Sequence, residues 1–264
     1  MRFLPQSLVM AKLGVVETPW VLENLAEFVA ATAGRPGRIQ RLDGGILVAS
    51  PVPVANGYFN AAFPRDDIDP APFITQAKTF FAESNSPFIL WVPETFVHSL
   101  AVAEAESSST DQESSPQMVM TVPPRYSSAL TVREVESADD RALFGELCEA
   151  GYEIPGLSWI LDHHDALGAP STTWAIACDG DEPLGVGCAY LRGTSGGVFY
   201  VATPPSAARR GAATAVTAWL TAKVFSAGAT QVTLQASDQG RAVYERLGFR
   251  EQVALRRFTF DAAH

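Results

Sequence analysis

The sequence predicts an α/β fold: a mixed central sheet flanked by helices, arranged as two tandem units over residues 1–125 and 126–264. Three observations carry this. Short β-branched or aromatic runs, such as Phe88-Ile-Leu-Trp-Val92 and Gly197-Val-Phe-Tyr-Val201, alternate with stretches whose apolar residues recur at helical spacing. At 264 residues the chain is long for one domain and comfortable for two. Between the halves, Glu106-Ser-Ser-Ser-Thr-Asp-Gln-Glu-Ser-Ser-Pro116 is polar and aperiodic, which reads as a flexible linker near 106–117.

In the first half, Leu22, Ala26 and Phe28 to Ala30 suggest a helix after the cap-like Thr18. Arg38–Leu42 and Gly45–Ser50 read as a hairpin turning at Asp43-Gly44-Gly45. Gly57–Phe63 is a third strand. A helix from Ala71 places Phe73, Ala77, Phe80 and Phe81 at i, i+4, i+7 and i+8. Phe88–Val92 is a buried strand, and Pro93-Glu94 starts another helix. Met118–Val122 reads as a short strand that closes the first sheet, ended by Pro123-Pro124.

In the second half, Leu130–Val135 alternates as a strand does. Ala138–Ala150 is a helix carrying Leu143, Phe144 and Leu147, ended by Gly151. Ser158–His164 is a second short helix. Thr173–Cys178 and Leu184–Leu191 form a hairpin around Asp179-Gly-Asp-Glu182, and Arg257–Asp261 closes the sheet.

The stretch Val201-Ala-Thr-Pro-Pro-Ser-Ala-Ala-Arg-Arg-Gly-Ala-Ala-Thr214 has the most chemistry. It leaves a strand, turns at two prolines and enters a helix whose apolar face is Val216, Trp219, Leu220 and Val224. The amides at Arg210, Gly211, Ala212, Ala213 and Thr214 begin that helix with no large apolar side chain over them. Open amides at a helix N-terminus attract anions, and Arg209 and Arg210 add charge, so pyrophosphate suits the site. An ordinary strand-to-helix junction is the competing reading. Downstream, Gln231–Asp238 reads as a strand and a helix cap, followed by Gly240-Arg-Ala-Val-Tyr-Glu-Arg-Leu-Gly-Phe249.

Together these two stretches resemble the GCN5-related N-acetyltransferase (GNAT) family. The first is similar to its acyl-CoA loop, Gln/Arg-x-x-Gly-x-Gly/Ala, matched at Gly211 and Ala213, with Ala208 where Gln or Arg is usual. The second is similar to the family's Tyr-x-x-Leu-Gly-Phe segment at Tyr244, Leu247, Gly248 and Phe249. The resemblance covers roughly Leu130 to Phe260, with a weaker echo in the first half that implies an internal duplication. In that first copy the corresponding turn, Pro64-Arg-Asp-Asp-Ile-Asp-Pro70, lacks glycine, and Asp66, Asp67 and Asp69 would repel a pyrophosphate. It reads as a degenerate copy, with an unrelated α/β domain as the alternative.

The resemblance implies transfer of an acetyl group from acetyl-CoA, as cosubstrate, to an amine acceptor by direct attack. CoA would wedge between two splayed parallel strands, Phe199–Thr203 and Val232–Ala236. Val201, Ala202 and Thr203 would grip the pantetheine, the amides from Arg209 to Thr214 would take the pyrophosphate, and Ser237 stands where an Asn often contacts CoA. Tyr244 is the candidate general acid or, alternatively, a packed aromatic; Val243 and Leu247 should face the sheet. Tyr152, Trp159, His163 and His164 are candidate acceptor-cleft residues. The base is left open among Glu134, Glu153, Asp162 and a water chain. A non-catalytic acyl-CoA-binding protein is the alternative function.

Composition limits the other classes. The net charge of −10 argues against nucleic acid or an anionic membrane as the main partner, and is compatible with a basic amine substrate. Cys148, Cys178 and Cys188 are few and odd in number, as expected of reduced core thiols in a cytoplasmic protein. His163-His164-Asp165 does not read as a metal site, because adjacent helical side chains diverge. No signal peptide or membrane span is expected, and the protein is expected as a monomer or homodimer acting on a small molecule.

Overall fold

The computed structural model describes residues 22–33, 38–52, 59–66, 69–96 and 99–262. Helix α1 (Glu23–Thr32), the hairpin β1 (Arg38–Leu42) and β2 (Gly45–Ala49), β3 (Ala61–Pro64), α2 (Pro70–Ala82), β4 (Phe88–Pro93), α3 (Leu100–Ser107) and β5 (Asp111–Met120) come first. They are followed by β6 (Thr131–Glu134), α4 (Ala138–Tyr152), α5 (Leu157–His163), β7 (Thr172–Asp179), β8 (Glu182–Arg192), β9 (Ser195–Ala202), α6 (Ala212–Ser226), β10 (Gln231–Gln235), α7 (Asp238–Leu247) and β11 (Arg250–Phe260). The expected cap Thr18, part of the third strand (residues 57–58) and Asp67 lie outside the described residues.

Local chemistry explains several boundaries. Asp69 caps α2 by accepting from the Ala71 amide at 3.0 Å, and Pro70 occupies the first turn, where its missing N–H costs nothing. Ser137 and Asp140 close a capping box at the start of α4. Gly248 ends α7 at φ 105°, a conformation other residues resist. Helix α4 runs on to Tyr152, so the expected stop at Gly151 is wrong. Gly151 serves packing instead: a Cβ there would lie 2.8 Å from both the Ala202 Cβ and the Thr203 amide nitrogen.

All strands join one sheet of order β1-β2-β3-β4-β11-β5-β10-β9-β8-β7-β6. Its parallel pairs are β3/β4, bridged by α2, and β9/β10, bridged by α6; the others are antiparallel. The expected linker at 106–117 is thus corrected: it contains the end of α3 and most of β5, a strand paired on both sides. Residues 111–114 are exposed, carry no apolar face and pair with β11 alone, so that neighbouring strand imposes the extended conformation, and propensity does not. The short closing strand expected at Met118–Val122 is the end of this longer one. β5 lies between β10 and β11, and β11 lies between β4 and β5, so each half of the chain lends a strand to the other's side of the sheet.

One apolar cluster draws on both halves. It joins Leu25 and Phe28 of α1, Phe144 and Cys148 of α4 and Leu157 of α5 to Phe63, Phe199 and Leu255. On the opposite face α6 and α7 pack over Met118, Val232 and Leu234, while α2 and α3 pack over Leu90 and Phe258. Val216, Leu220 and Val224 are almost fully buried, as their spacing predicts, each stabilising the fold by about 1.5–3 kcal/mol. The three cysteines are free and buried, and burial pushes the Cys148 and Cys188 thiols up. Among the described residues no helix is long and apolar enough to cross a membrane.

Candidate active site

Strands β9 and β10 part company. Their pairing runs only from Ser195 opposite Gln231 to Gly197 opposite Thr233. Beyond it β9 continues to Ala202 and β10 to Gln235 without pairing to each other. The cause sits in β9, where register slips against β8 between Val186 and Cys188, opposite Tyr200. Tyr200 adopts φ 51°, a strained value for a non-glycine residue. A bulge of this kind bends a strand and turns its backbone away from its neighbour. The expected splay over Phe199–Thr203 and Val232–Ala236 is therefore present in part: Val232 and Thr233 are still paired to β9, and the strands diverge beyond them, with Val201, Ala202 and Thr203 along the edge. The Thr203 hydroxyl oxygen is buried without a partner.

The chain then turns through Pro205–Ala207 into a loop of alternating handedness: Arg209 at φ 64° and Gly211 at φ 88° flank Arg210. Backbone of this form gathers its N–H groups around a concavity suited to anions. None of the amides from Arg209 to Thr214 has a hydrogen-bond partner among the described residues; the first to find one is Ala215, bonded to the Gly211 carbonyl at 2.9 Å. No side chain caps α6. Nothing lies within 4 Å of where a Cβ on Gly211 would stand, so the amides are open to a ligand. Ala213 and Thr214 are half-buried and Ala212 is buried. The two arginines differ from the expectation of a matched pair. Arg210 is held by Glu182 at 2.7 Å and Asp179 at 2.9 Å, which braces the loop against the β7–β8 turn. Arg209 is exposed and makes no ion pair among the described residues.

A cavity of about 390 Å³ opens at the splay. Val198, which packs with the α6 and α7 cluster, and Phe199, which packs with the α1 cluster, both line it, so it passes between β9 and β10 from one face of the sheet to the other. Tyr244 lines it from α7. Tyr244 is the buried residue of that helix, whereas Val243 and Leu247, expected to face the sheet, are only half-buried. The reason is Gly240, one turn earlier: a Cβ there would lie 2.9 Å from the Tyr244 ring, so the absent side chain is the space the ring occupies. Burial alone pushes the Tyr244 phenol up to about 12, which keeps it protonated at neutral pH. Ser237 also lines the cavity, and its hydroxyl caps α7 by accepting from the Gly240 amide at 3.2 Å.

The other candidates disperse. Tyr152 lines the cavity and is 42% exposed. Trp159 lines a separate hollow of about 510 Å³ on α4 and α5, with Asp162, and His163 packs on it with ring centroids 3.9 Å apart. His164 is buried, with Nε2 2.9 Å from the Ser50 hydroxyl and its ring edge-on to Phe59 at 5.1 Å. Burial holds its pKa below the usual value. Among the expected bases, Glu134 pairs with Lys223, Glu153 ends α4 on the surface at φ 56°, and Asp162 faces the other hollow. No carboxylate or imidazole lines the 390 Å³ cavity among the described residues.

The wall supplied by the first half and by β11 is absent from the sequence-level expectation. Phe28 stacks on Phe199 at 3.9 Å and also lines the cavity, as do Phe59, Trp91, Ser115 and Arg257. Among the described residues no group of three or more His, Cys, Asp or Glu could hold a metal ion.

Residues 135–249 match the model of the Acetyltransferase (GNAT) family. No curated protein matches the chain. A GCN5-related N-acetyltransferase from Kribbella flavida is 16% identical and superposes with a TM-score of 0.67, over 93% of this chain and 96% of that one. A GCN5-related N-acetyltransferase from Sphaerobacter thermophilus is 13% identical, with a TM-score of 0.58 over 92% of this chain and 93% of that one. A conserved protein of unknown function from Staphylococcus epidermidis is 11% identical, with a TM-score of 0.59 over 86% of this chain and 95% of that one. Residues 135–249 thus resemble the GNAT family at the level of its sequence model, and the chain's fold is that of solved GNAT structures.

Proposed function

We propose that the protein transfers an acetyl group from acetyl-CoA to the amine of a small molecule, by direct attack in a ternary complex. The observation that carries the reading is the run of unpaired amides from Arg209 to Thr214 beside the gap between β9 and β10. These groups fit the pyrophosphate, with Arg209 adding charge from solvent. The free edge at Val201, Ala202 and Thr203 fits the pantetheine amides, and Ser237 stands at the opposite lip. At the thioester, the amine nitrogen forms a bond to the carbonyl carbon, the C–S bond breaks, and sulfur leaves with the electron pair. Tyr244 donates the proton that sulfur needs, and the amine's proton goes to water. Since no carboxylate or imidazole among the described residues lines the cavity, the amine reacts after losing its charge in solution.

The second reading is an acyl-CoA-binding protein without turnover, favoured by that same absence of a base in the cavity. We take the chain as a tandem acetyltransferase with a degenerate first copy and a boundary near 125/126; the like order of strands outward from β11 and β5 supports this. We place it in the cytoplasm, as a monomer or homodimer.

Acetyl-CoA should raise the melting temperature of the parent and not of Gly211→Val. That substitution puts a branched side chain at φ 88°, over the amides. Loss of a ligand held at 100 times its dissociation constant removes about 2.7 kcal/mol. Equal shifts in the two proteins refute the pyrophosphate site. Thiol release with an amine panel then separates transfer from mere binding.

A further inference from the structure

We infer that the acceptor is an aromatic or similarly apolar primary amine that also carries a carboxylate, and that Arg257 receives the carboxylate. This rests on reading the cavity as an acyl-transfer site, and names the class of molecule it takes.

The lining decides it. Away from the splay the walls are Phe28, Phe59, Trp91 and Tyr152, which suit a ring or a branched apolar group. Arg257 is the charged residue among the lining side chains. It sits on β11 in register with Trp91 of β4 on one side and Glu113 of β5 on the other. Its guanidinium lies over the Trp91 ring, 5.3 Å from the centroid, and one terminal nitrogen pairs with Glu113.

Glu113 has 45% of its side chain exposed, so water competes for that pair. The Nε–H of Arg257 is buried with no partner among the described residues. A buried donor left unpaired is unfavourable, and a ligand carboxylate would satisfy it with a charge-assisted bond. A polycationic amine meets the reverse: a cation in the wall and no carboxylate among the described lining residues to neutralise it. The protein's net charge of −10 therefore does not describe this cavity, and the acceptor is not a polycation.

Calorimetry on the full chain tests this with L-phenylalanine, phenethylamine and spermidine as probes. L-Phenylalanine should bind about tenfold or more tightly than phenethylamine, which lacks only the carboxylate, and spermidine should not compete. Arg257→Gln should bring phenylalanine and phenethylamine to parity. Glu113→Gln, which frees the guanidinium, should keep or widen the gap, and it decides the matter if Arg257→Gln does not fold. Parity in the parent, a preference that survives Arg257→Gln, a narrowed gap in Glu113→Gln, stronger spermidine binding, or no saturable phenylalanine binding overturns the inference. Acetyl-CoA binding to the same samples is read separately. Its absence alongside selective phenylalanine binding would sink the acyl-transfer reading, not the assignment of the carboxylate.

Discussion

Replacing Gly240 by Ala should separate the position of Tyr244 from the stability of the fold. The new Cβ would stand 2.9 Å from Cε2 of the Tyr244 ring, 3.4 Å from Cζ and 3.3 Å from the Ser237 hydroxyl. Carbon atoms rest at about 3.5–4.0 Å, so the ring must retreat by about 0.5–1 Å, and its far end, which bears the hydroxyl, moves with it. A displacement of about 1 Å in a reacting group can cost about 100-fold in rate. The backbone opposes none of this, since Gly240 lies in the first turn of α7 and is not among the residues with positive φ. Alanine is favoured over glycine in a helix by up to about 1 kcal/mol, which offsets the packing lost by the ring. Stability should therefore change by no more than about 1 kcal/mol while turnover falls by about 10–100-fold. Acetyl-CoA affinity should hold, because the loop from Arg209 to Thr214 is untouched. Thermal unfolding, thiol release with an accepted amine and calorimetry read the three quantities, and Tyr244→Phe sets the floor at about 10²–10⁴-fold lower rate. A folded Gly240→Ala protein with full turnover would refute the role given to the hydroxyl.

Arg209→Gln should weaken acetyl-CoA binding more than Arg210→Gln does, since Arg210 is already engaged by Asp179 and Glu182; salt-dependent calorimetry of both variants checks it, and the opposite order counts against the loop geometry. His164 is held neutral by burial, so its folded pKa lies below 6.5 and the unfolded chain takes up the proton first as pH falls. The stability it contributes is thus present above about pH 6.5 and is lost as pH drops through the folded pKa; urea midpoints at neutral and mildly acidic pH should diverge in the parent and converge in His164→Gln. Residues 126–264 expressed alone should not fold cooperatively, because β5 is then missing from between β10 and β11 and the core loses Met118 and Met120; a sharp, native-like melt would contradict this.

Much of the fold was legible because the signals were local. The β1–β2 turn, the helical spacing of Val216, Leu220 and Val224, and the open amides beyond Pro205 all follow from a few neighbouring residues. What escaped depended on distant partners. β5 was hidden because its exposed end is polar and takes its conformation from β11, a strand far away in sequence. Gly151 looked like a helix stop because its near contact with Ala202 and Thr203 cannot be seen from the helix itself. Arg210 looked available because its partners sit in a turn about thirty residues earlier. Tyr244 lines the cavity, and its burial depends on the gap left by Gly240, which the spacing of Val243 and Leu247 did not show.

The exchanged strands give the first half a use that its own turn denies it. Asp69 accepts from the Ala71 amide at the start of α2 and sets a negative charge there, which opposes an anion, whereas no side chain among the described residues caps α6. Yet the first half supplies Phe28 and Trp91 to the cavity, and β5 brings Ser115 to the same wall. In return β11 crosses to lie against β4 and places Arg257 in register with Trp91. The thioester would be handled by residues of the second half, whereas most of the wall that would choose the acceptor comes from the first half and from the strand that crosses to it. Separating the halves by sequence would cut through that wall. Substitutions at Phe28, Trp91 or Arg257 should accordingly alter which amine is accepted and leave acetyl-CoA affinity in place, because they lie on α1, β4 and β11 and not in the loop from Arg209 to Thr214.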